Sequence, residues 1–318
     1  NMKKSFKCIS LMLSSLLILG CGSTAFSAAT VEDNESVKAI YEKIEEGRTV
    51  LYDENNNEIP VEKLNNDTEN ISKKLPQKYD LRDYGRVSKV KNQGSEGYCW
   101  AFASVASMES SILSQNDLKS KLGENPQDTI DLSEAGQTWY IHSGIVDKSS
   151  PFYGDYINDS SKGSNGGTSD TLAISLNSGF GTYLQSLCPY NEVKKGFSET
   201  LRYYSDYRLK DYSEISNNKD TLKSKIVSNG AVTVHYPSIT DCYSYDYANY
   251  YSDNTCIGIG DSHLIVVVGW DDNYSKDNFT GKVKPSNDGA WLCKNSWGEH
   301  YGNDGCLLYT SDAADDLI

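Results

Sequence analysis

The chain has 318 residues, 38% of them hydrophobic, which is enough to bury one large core. Its 44 acidic residues outnumber its 30 lysines and arginines, and the resulting net charge of −14 argues against nucleic acid or an anionic membrane surface as a partner. Eight cysteines are present, but no spacing resembles a metal site and nothing in the chain calls for a cofactor.

Lys3, Lys4 and Lys7 precede an apolar run from Ile9 to Leu19 that is too short to span a bilayer and is followed by small residues. Residues 1–29 therefore read as a signal peptide cleaved after Ala29, leaving no transmembrane helix in a mature protein that works outside the cytoplasm, extracellular or at the cell surface. The alternative is that Ile18-Leu19-Gly20-Cys21 acts as a lipobox and Cys21 becomes a lipid anchor; release is favoured. Residues 30–72 read as a separate pro-segment or linker. In it Val37, Ile40, Tyr41 and Ile44 have helical spacing, while Asp53–Pro60 and Asn65–Asn70 are polar and turn-rich.

From Cys99 the pattern is helical. Phe102, Val105, Ala106, Glu109, Ile112 and Leu113 recur at intervals of three and four, and neither Pro nor Gly occurs from Trp100 to Leu113. Ala231–Val234 reads as a strand that borders the site, with His235 after it as a structural residue. The tyrosines at 243, 245, 247, 250 and 251 read as a packed surface loop. Residues 264–268 are an unbroken aliphatic run too short for a helix, hence a buried strand, and His263 opens it. A polar loop over 271–289 leads to a second strand at about 290–295 that ends on Asn295. Paired as an antiparallel hairpin, the two strands bring His263 beside Asn295.

These residue types carry a definite chemistry. A cysteine thiol has an ordinary pKa of about 8.5, and the positive end of a helix together with a neighbouring imidazolium can lower it by several units. Cys99 sits at the start of a helix, His263 is a base within reach of it, and Asn295 can hold the imidazole in one tautomer. Gln93 stands six residues before Cys99.

The run Gln93–Ala103 (QGSEGYCWAFA), the SNGG of Ser164–Gly167, the strand led by His263 and the WLCKNSWG of Trp291–Gly298 together resemble the papain family of cysteine proteases. The resemblance covers roughly residues 75–305, and Leu75–Asp83 is similar to the opening of secreted bacterial members. It implies an α+β, two-lobed papain-like fold, with a helical lobe carrying Cys99 and a β-rich lobe carrying His263 and Asn295. It also implies a monomer that acts on protein or peptide substrates. Cys99 would be the nucleophile, His263 the general acid and base, Asn295 its orienter, and Gln93 part of the oxyanion hole. Gly166 and Gly167 would offer backbone groups to an extended substrate, Thr168 would line the main specificity pocket, Ser262 would border the cleft, and Trp297 would cover the His–Asn hydrogen bond. The resemblance sets the peptidase domain at 73–305, incomplete at its C-terminus, because the family continues with further strands after Gly305; residues 306–318 read as a non-native tail.

Two departures stand out. Members often carry a disulfide between the positions of Glu96 and Ser164, and this chain has neither cysteine. The interval from Cys99 to His263 also exceeds the family's roughly 130 to 150 residues, which points to insertions in 141–162 and 236–251; a further insertion is expected in the loop 271–289. Of the remaining cysteines, a Cys242–Cys256 loop is conceivable. Taken singly, Cys99 would read as an inert buried thiol and His263 as a strand-end histidine satisfied by the backbone; it is their joint occurrence with Gln93 and Asn295 that favours catalysis. Two other classes fit the secretion signal: a peptidoglycan-cleaving Cys-His hydrolase, and a non-catalytic binding protein on the same fold. The first is disfavoured by the Asn-Ser-Trp-Gly sequence, and the second by the presence of all four site residues.

Overall fold

The computed structural model describes residues 41–45, 48–52, 58–59, 75–145, 182–238 (apart from 203, 211, 216 and 217) and 261–311, with shorter pieces between 148 and 176 and between 242 and 252. The signal segment, Cys21 and Cys256 lie outside the described residues.

Strands β1 (Tyr41–Glu45), β2 (Arg48–Tyr52) and β3 (Glu58–Ile59) form an antiparallel sheet of their own. The helix expected over Val37–Ile44 is therefore corrected from Tyr41 onward. Tyr, Ile, Val and Thr are good strand formers, and the two strands are separated by only two residues, the second of them Gly47, which is the spacing of a hairpin.

The main sheet is built from β4 (Lys78–Asp80), β5 (Val232–Ser238), β6 (Tyr243–Ser244), β7 (Asn249–Ser252), β8 (Asp261–Asp271), β9 (Ala290–Lys294) and β10 (Cys306–Ser311), in the order β4-β8-β9-β10-β7-β6, with β5 also on β8. β8 is its spine. Ile265, Val266, Val267 and Val268 are all buried, so both faces of this strand are covered, as its unbroken apolar run requires. One edge of β8 takes β5 and then β4, and the other takes β9 in the expected antiparallel pairing. The β8–β9 register shifts between Val267 and Gly269, where a Cβ would lie 2.1 Å from the carbonyl oxygen of Tyr79; glycine lets β4 close against the spine at this irregularity.

Two expectations change here. Tyr250 and Tyr251 are buried on β7, and Tyr250 packs edge-on to Tyr236 and stacks on Tyr309, so these two belong to the sheet and core rather than to a surface loop, while Tyr245 and Tyr247 lie outside the described residues. The boundary at residue 305 moves as well. Cys306–Ser311 pairs antiparallel with β9 and parallel with β7, and its alternation buries Leu307 and Tyr309 in the main core. Residues 312–318 lie outside the described residues.

The helical side consists of α1 (Cys99–Ser114), α2 (Glu134–His142) and α3 (Lys219–Asn229). Ser133 caps α2 by accepting from the Gly136 amide, and Asn218 caps α3 through the amides of Asp220 and Thr221. α1 packs against β8, β5, α2 and α3, and most of its first two turns are buried.

Where α1 meets the sheet, Ala103 and Ala106 pack in the main core, and beside them lies a buried ionic cluster. Glu109, with 0% exposure, accepts hydrogen bonds from Lys91 Nζ (3.0 Å) and the Leu132 amide (2.8 Å) on one oxygen and from Ser88 Oγ (2.5 Å) on the other. Lys91 Nζ also reaches Glu134 Oε1 (2.9 Å), Asp131 Oδ1 (2.9 Å) and the Leu132 carbonyl (2.7 Å). Lys294, at the end of β9, donates to Ser88 Oγ at 2.9 Å. Burial works against the Lys91 ammonium, but Glu134, Glu109 and Asp131 outweigh it and hold its pKa above the ordinary value. Burial pushes Glu134 up to about 7 against the pull of Lys91, and it lowers Lys294.

Removing the shared cation strands two buried carboxylates. Lys91→Met is expected to cost about 3–5 kcal/mol in chemical denaturation, whereas Lys89→Met, which removes an exposed pair with Asp128, stays within about 0.5 kcal/mol. A small loss for Lys91→Met would mean the cluster contributes nothing to holding α1 on the sheet.

Candidate active site

Cys99 is the first residue of α1, and the helix starts without a side-chain cap: Tyr98 makes no capping hydrogen bond, and no acidic residue occupies the first turn. The Ala101 and Phe102 amides both turn back to the Tyr98 carbonyl, so the amides of Cys99 and Trp100 are left facing the thiol, and both contribute hydrogen bonds to it. A third comes from the backbone of Leu264 on β8. Sequence reasoning expected these influences to depress the thiol pKa. Burial outweighs them and pushes Cys99 up, because a thiolate loses more hydration in this site than three amides return.

β8 and β9 bring His263 and Asn295 together. His263 Nε2 lies 2.8 Å from Asn295 Oδ1, and the Ser296 amide donates to the same oxygen at 2.7 Å. A backbone N–H can only donate, so the Asn295 atom facing the ring is its oxygen. His263 therefore carries its proton on Nε2, and Nδ1 is the lone-pair nitrogen. Burial lowers the His263 pKa, the Asn295 hydrogen bond works against that, and the charge of His235 adds to the lowering. Trp297 stacks on the imidazole, with centroids 4.6 Å apart and planes at 22°, and Tyr301 in turn meets Trp297 edge-on at 4.7 Å.

The loop before α1 is stitched to the loop after β9. The Gln93 amide donates to the Ser296 carbonyl (2.8 Å), the Gly298 amide to the Lys91 carbonyl (3.0 Å), and Asn92 bridges Trp297. Ser296 Oγ donates to Gln93 Oε1 (2.6 Å) and Gln93 Nε2 donates to the Glu96 carbonyl (2.9 Å), which fixes the amide orientation and leaves Nε2 a second N–H to give. Tyr190 Oη donates to the Gln93 carbonyl at 2.7 Å and packs its ring edge-on to Phe102 of α1.

The glycines are close by. Gly167 lies on the Trp100 ring, where a Cβ would sit 2.7 Å from the indole, so no other residue fits; Gly166 has φ +113° and is exposed. Thr168 is exposed and lines a cavity with Leu264 and His235. Ser262 pairs with Pro237 on β8. Glu96, at the position where members often carry a cysteine, pairs instead with the exposed Lys194.

The Papain family cysteine protease profile matches residues 75–315. The chain belongs to the papain family of cysteine proteases. Among its relatives, cathepsin J of Mus musculus is 25% identical over 242 residues, covering 76% of this chain and 62% of the relative. Cathepsin K of Mus musculus is 27% identical over 240 residues, covering 74% of this chain and 60% of the relative. The chain thus spans about three fifths of the length of these relatives. Among solved structures, the cysteine protease and lectin-like domains of Cwp84, a surface layer associated protein of Clostridium difficile, superpose with a TM-score of 0.57 at 26% identity, covering 76% of this chain and 49% of that one.

Membership explains the α+β, two-lobed arrangement. Several residues that build the site were not singled out in the sequence. Ser296 has no signal beyond its place between Asn295 and Trp297. Leu264 acts through its backbone, which no side-chain pattern reports. Tyr190 lies far from the motifs and is found only through its contacts.

Since burial is what lowers the His263 pKa, uncovering the ring should reverse it. Trp297→Ala is expected to move the imidazole pKa up toward its ordinary value of about 6.5, followed by ring-proton NMR against pH. An unchanged or lower value would show that the indole does not control hydration of this ring.

Proposed function

We propose that this protein is a secreted cysteine endopeptidase that hydrolyses peptide bonds through a Cys99 thioester. The observation that carries the reading is the His263 tautomer: with Nε2–H given to Asn295, Nδ1 is the base available to a thiol at the start of α1. His263 Nδ1 takes the Cys99 proton, and Sγ adds to the substrate carbonyl carbon. The resulting oxyanion is held by the Cys99 amide and the Gln93 Nε2–H. The C–N bond breaks as the imidazolium returns its proton to the leaving amine. Water then adds to the thioester with His263 as base, and the thiol leaves with that proton.

Gly166 and Gly167 serve the substrate backbone, Thr168 a substrate side chain, Ser262 the cleft rim, and Trp297 keeps water from the His–Asn pair. Residues 1–29 direct export and 30–72 form a pro-segment removed on activation. In keeping with this, Cwp84 is described as surface layer associated, and a second structure of it is described as following propeptide cleavage.

Incubating the reduced protein with denatured casein, and separately with purified cell wall, tests the reading; release of peptides from casein alone is expected, and release from cell wall alone overturns it. An epoxide thiol trap should label Cys99 and abolish cleavage. Cys99→Ala and His263→Ala should be inactive and Asn295→Ala partly active, while Gln93→Ala should lose about a hundredfold in turnover, because one oxyanion donor contributes ~3 kcal/mol.

The pH dependence follows from two opposed shifts. Burial raises Cys99 and lowers His263, so each group alone resists its charged form near neutrality, and the ionic pair forms by moving one proton from sulfur to ring. A bell-shaped kcat/KM profile is expected, its acid limb set by protonation of the pair and its alkaline limb by loss of the imidazolium proton. A rate that only climbs through the free-thiol range would exclude the ionic pair.

A further inference from the structure

A cavity of about 740 Å³ adjoins these groups, lined among the described residues by Thr168, Leu172, Ile215, Thr233, His235 and Leu264. Leu264 ties it to the thiol, since the backbone of this residue hydrogen-bonds Cys99. His235 is the direct strand partner of Leu264 across β5 and β8, so the two side chains share a face with Cβ atoms roughly 5 Å apart. The neighbouring pair, Tyr236 and His263, points to the opposite face. A substrate side chain that enters this cavity next to the scissile bond therefore passes an exposed imidazole.

The surroundings favour one sign of charge. Among the described residues, Lys219 and Lys225 line the cavity against one carboxylate, Glu214, a local cationic excess in a chain of net charge −14. α1 contributes Ser104, Ser107, Met108 and Ser111, none of which titrates, β8 contributes the apolar Leu264, and Tyr212 adds a phenol. The apolar walls accept a long aliphatic stem.

We propose that His235 is a specificity-determining residue, selecting substrates whose side chain in this cavity ends in a carboxylate. The inference deepens the peptidase reading above and rests on it. Burial lowers the His235 pKa from its ordinary 6.5, so the ring is neutral at pH 7 and gains its charge as the medium turns acidic. A glutamate stem stays ionised down to roughly pH 4.3, so the two opposite charges coexist above that point and below the lowered His235 pKa. Selection should therefore sharpen on acidification and fade above neutrality.

The test compares matched fluorogenic peptides carrying Glu or Gln at each of the three positions before the cleaved bond, from pH 4.5 to 8, using the protein, His235→Gln and His235→Leu. At one position the Glu-to-Gln ratio of kcat/KM is expected to rise about three- to fivefold between pH 7.5 and 5 in the protein, through KM rather than kcat, and to stay flat in both variants. At pH 7.5, where the His235 ring is neutral, hydrolysis of the Gln peptides should persist in both variants, which separates a specificity role from a folding defect. A flat ratio in the protein, or the same rise in the variants, overturns the role of His235 while leaving the peptidase reading intact. Cleavage of none of the peptides overturns both. As a readout without turnover, the His235 ring pKa in Cys99→Ala should move up when a Glu peptide is added, and should stay in place with the Gln peptide; no movement with either overturns the proposal.

Discussion

The buried ion cluster around Lys91 is the constraint on which the site depends. It draws on a loop, α1, the entry to α2 and the end of β9. Its cations lie close in sequence to the groups that matter: Lys91 is two residues before Gln93, and Lys294 immediately precedes Asn295. Holding the two ammonium groups in place fixes the chain direction into both reactive loops. The ladder between Lys91–Gln93 and Ser296–Gly298 then follows from that alignment. Such a cluster is a costly way to join two elements, because desolvation opposes every charge in it. Its return is directional: a hydrophobic contact would tolerate sliding that four donors and acceptors at 2.5–3.0 Å do not.

The same burial that makes the cluster rigid tunes the chemistry. Cys99 is driven toward the neutral thiol and His263 toward the neutral ring, each by loss of water. The helix start and the amides near the sulfur oppose this, and Asn295 opposes it at the ring. Charge separation is thus left to the pair acting together, which makes the geometry between them more consequential than the acidity of either alone.

Much of this was legible in the chain. The period of three and four after Cys99 gave α1 within one residue at its end, and the aliphatic run after His263 gave the spine of the sheet and its antiparallel partner, since both signals come from burial of contiguous apolar residues. Glu109 stood in the apolar stripe of α1 as a misfit; its burial among cations explains it, and those cations come from residues distant in sequence. The spacing of Val37, Ile40, Tyr41 and Ile44 fits a helix, and what decides against one from Tyr41 onward is the pairing with Arg48–Tyr52, which a local period does not report. The tyrosines of β7 were taken for surface because turn-like neighbours surround them, whereas their partners, Tyr236 and Tyr309, lie far along the chain.

Ser296 connects both halves of the chemistry through one residue. Its amide holds Asn295, its hydroxyl holds Gln93 Oε1, and its carbonyl receives the Gln93 amide. A thermal displacement of this loop therefore carries the Gln93 and Asn295 side chains in the same direction by similar amounts. In the language of instruments, the noise is common-mode: the distance between the two groups is preserved even as both drift. What the loop loses in absolute position it keeps in relative alignment, and relative alignment is what a reacting carbonyl samples.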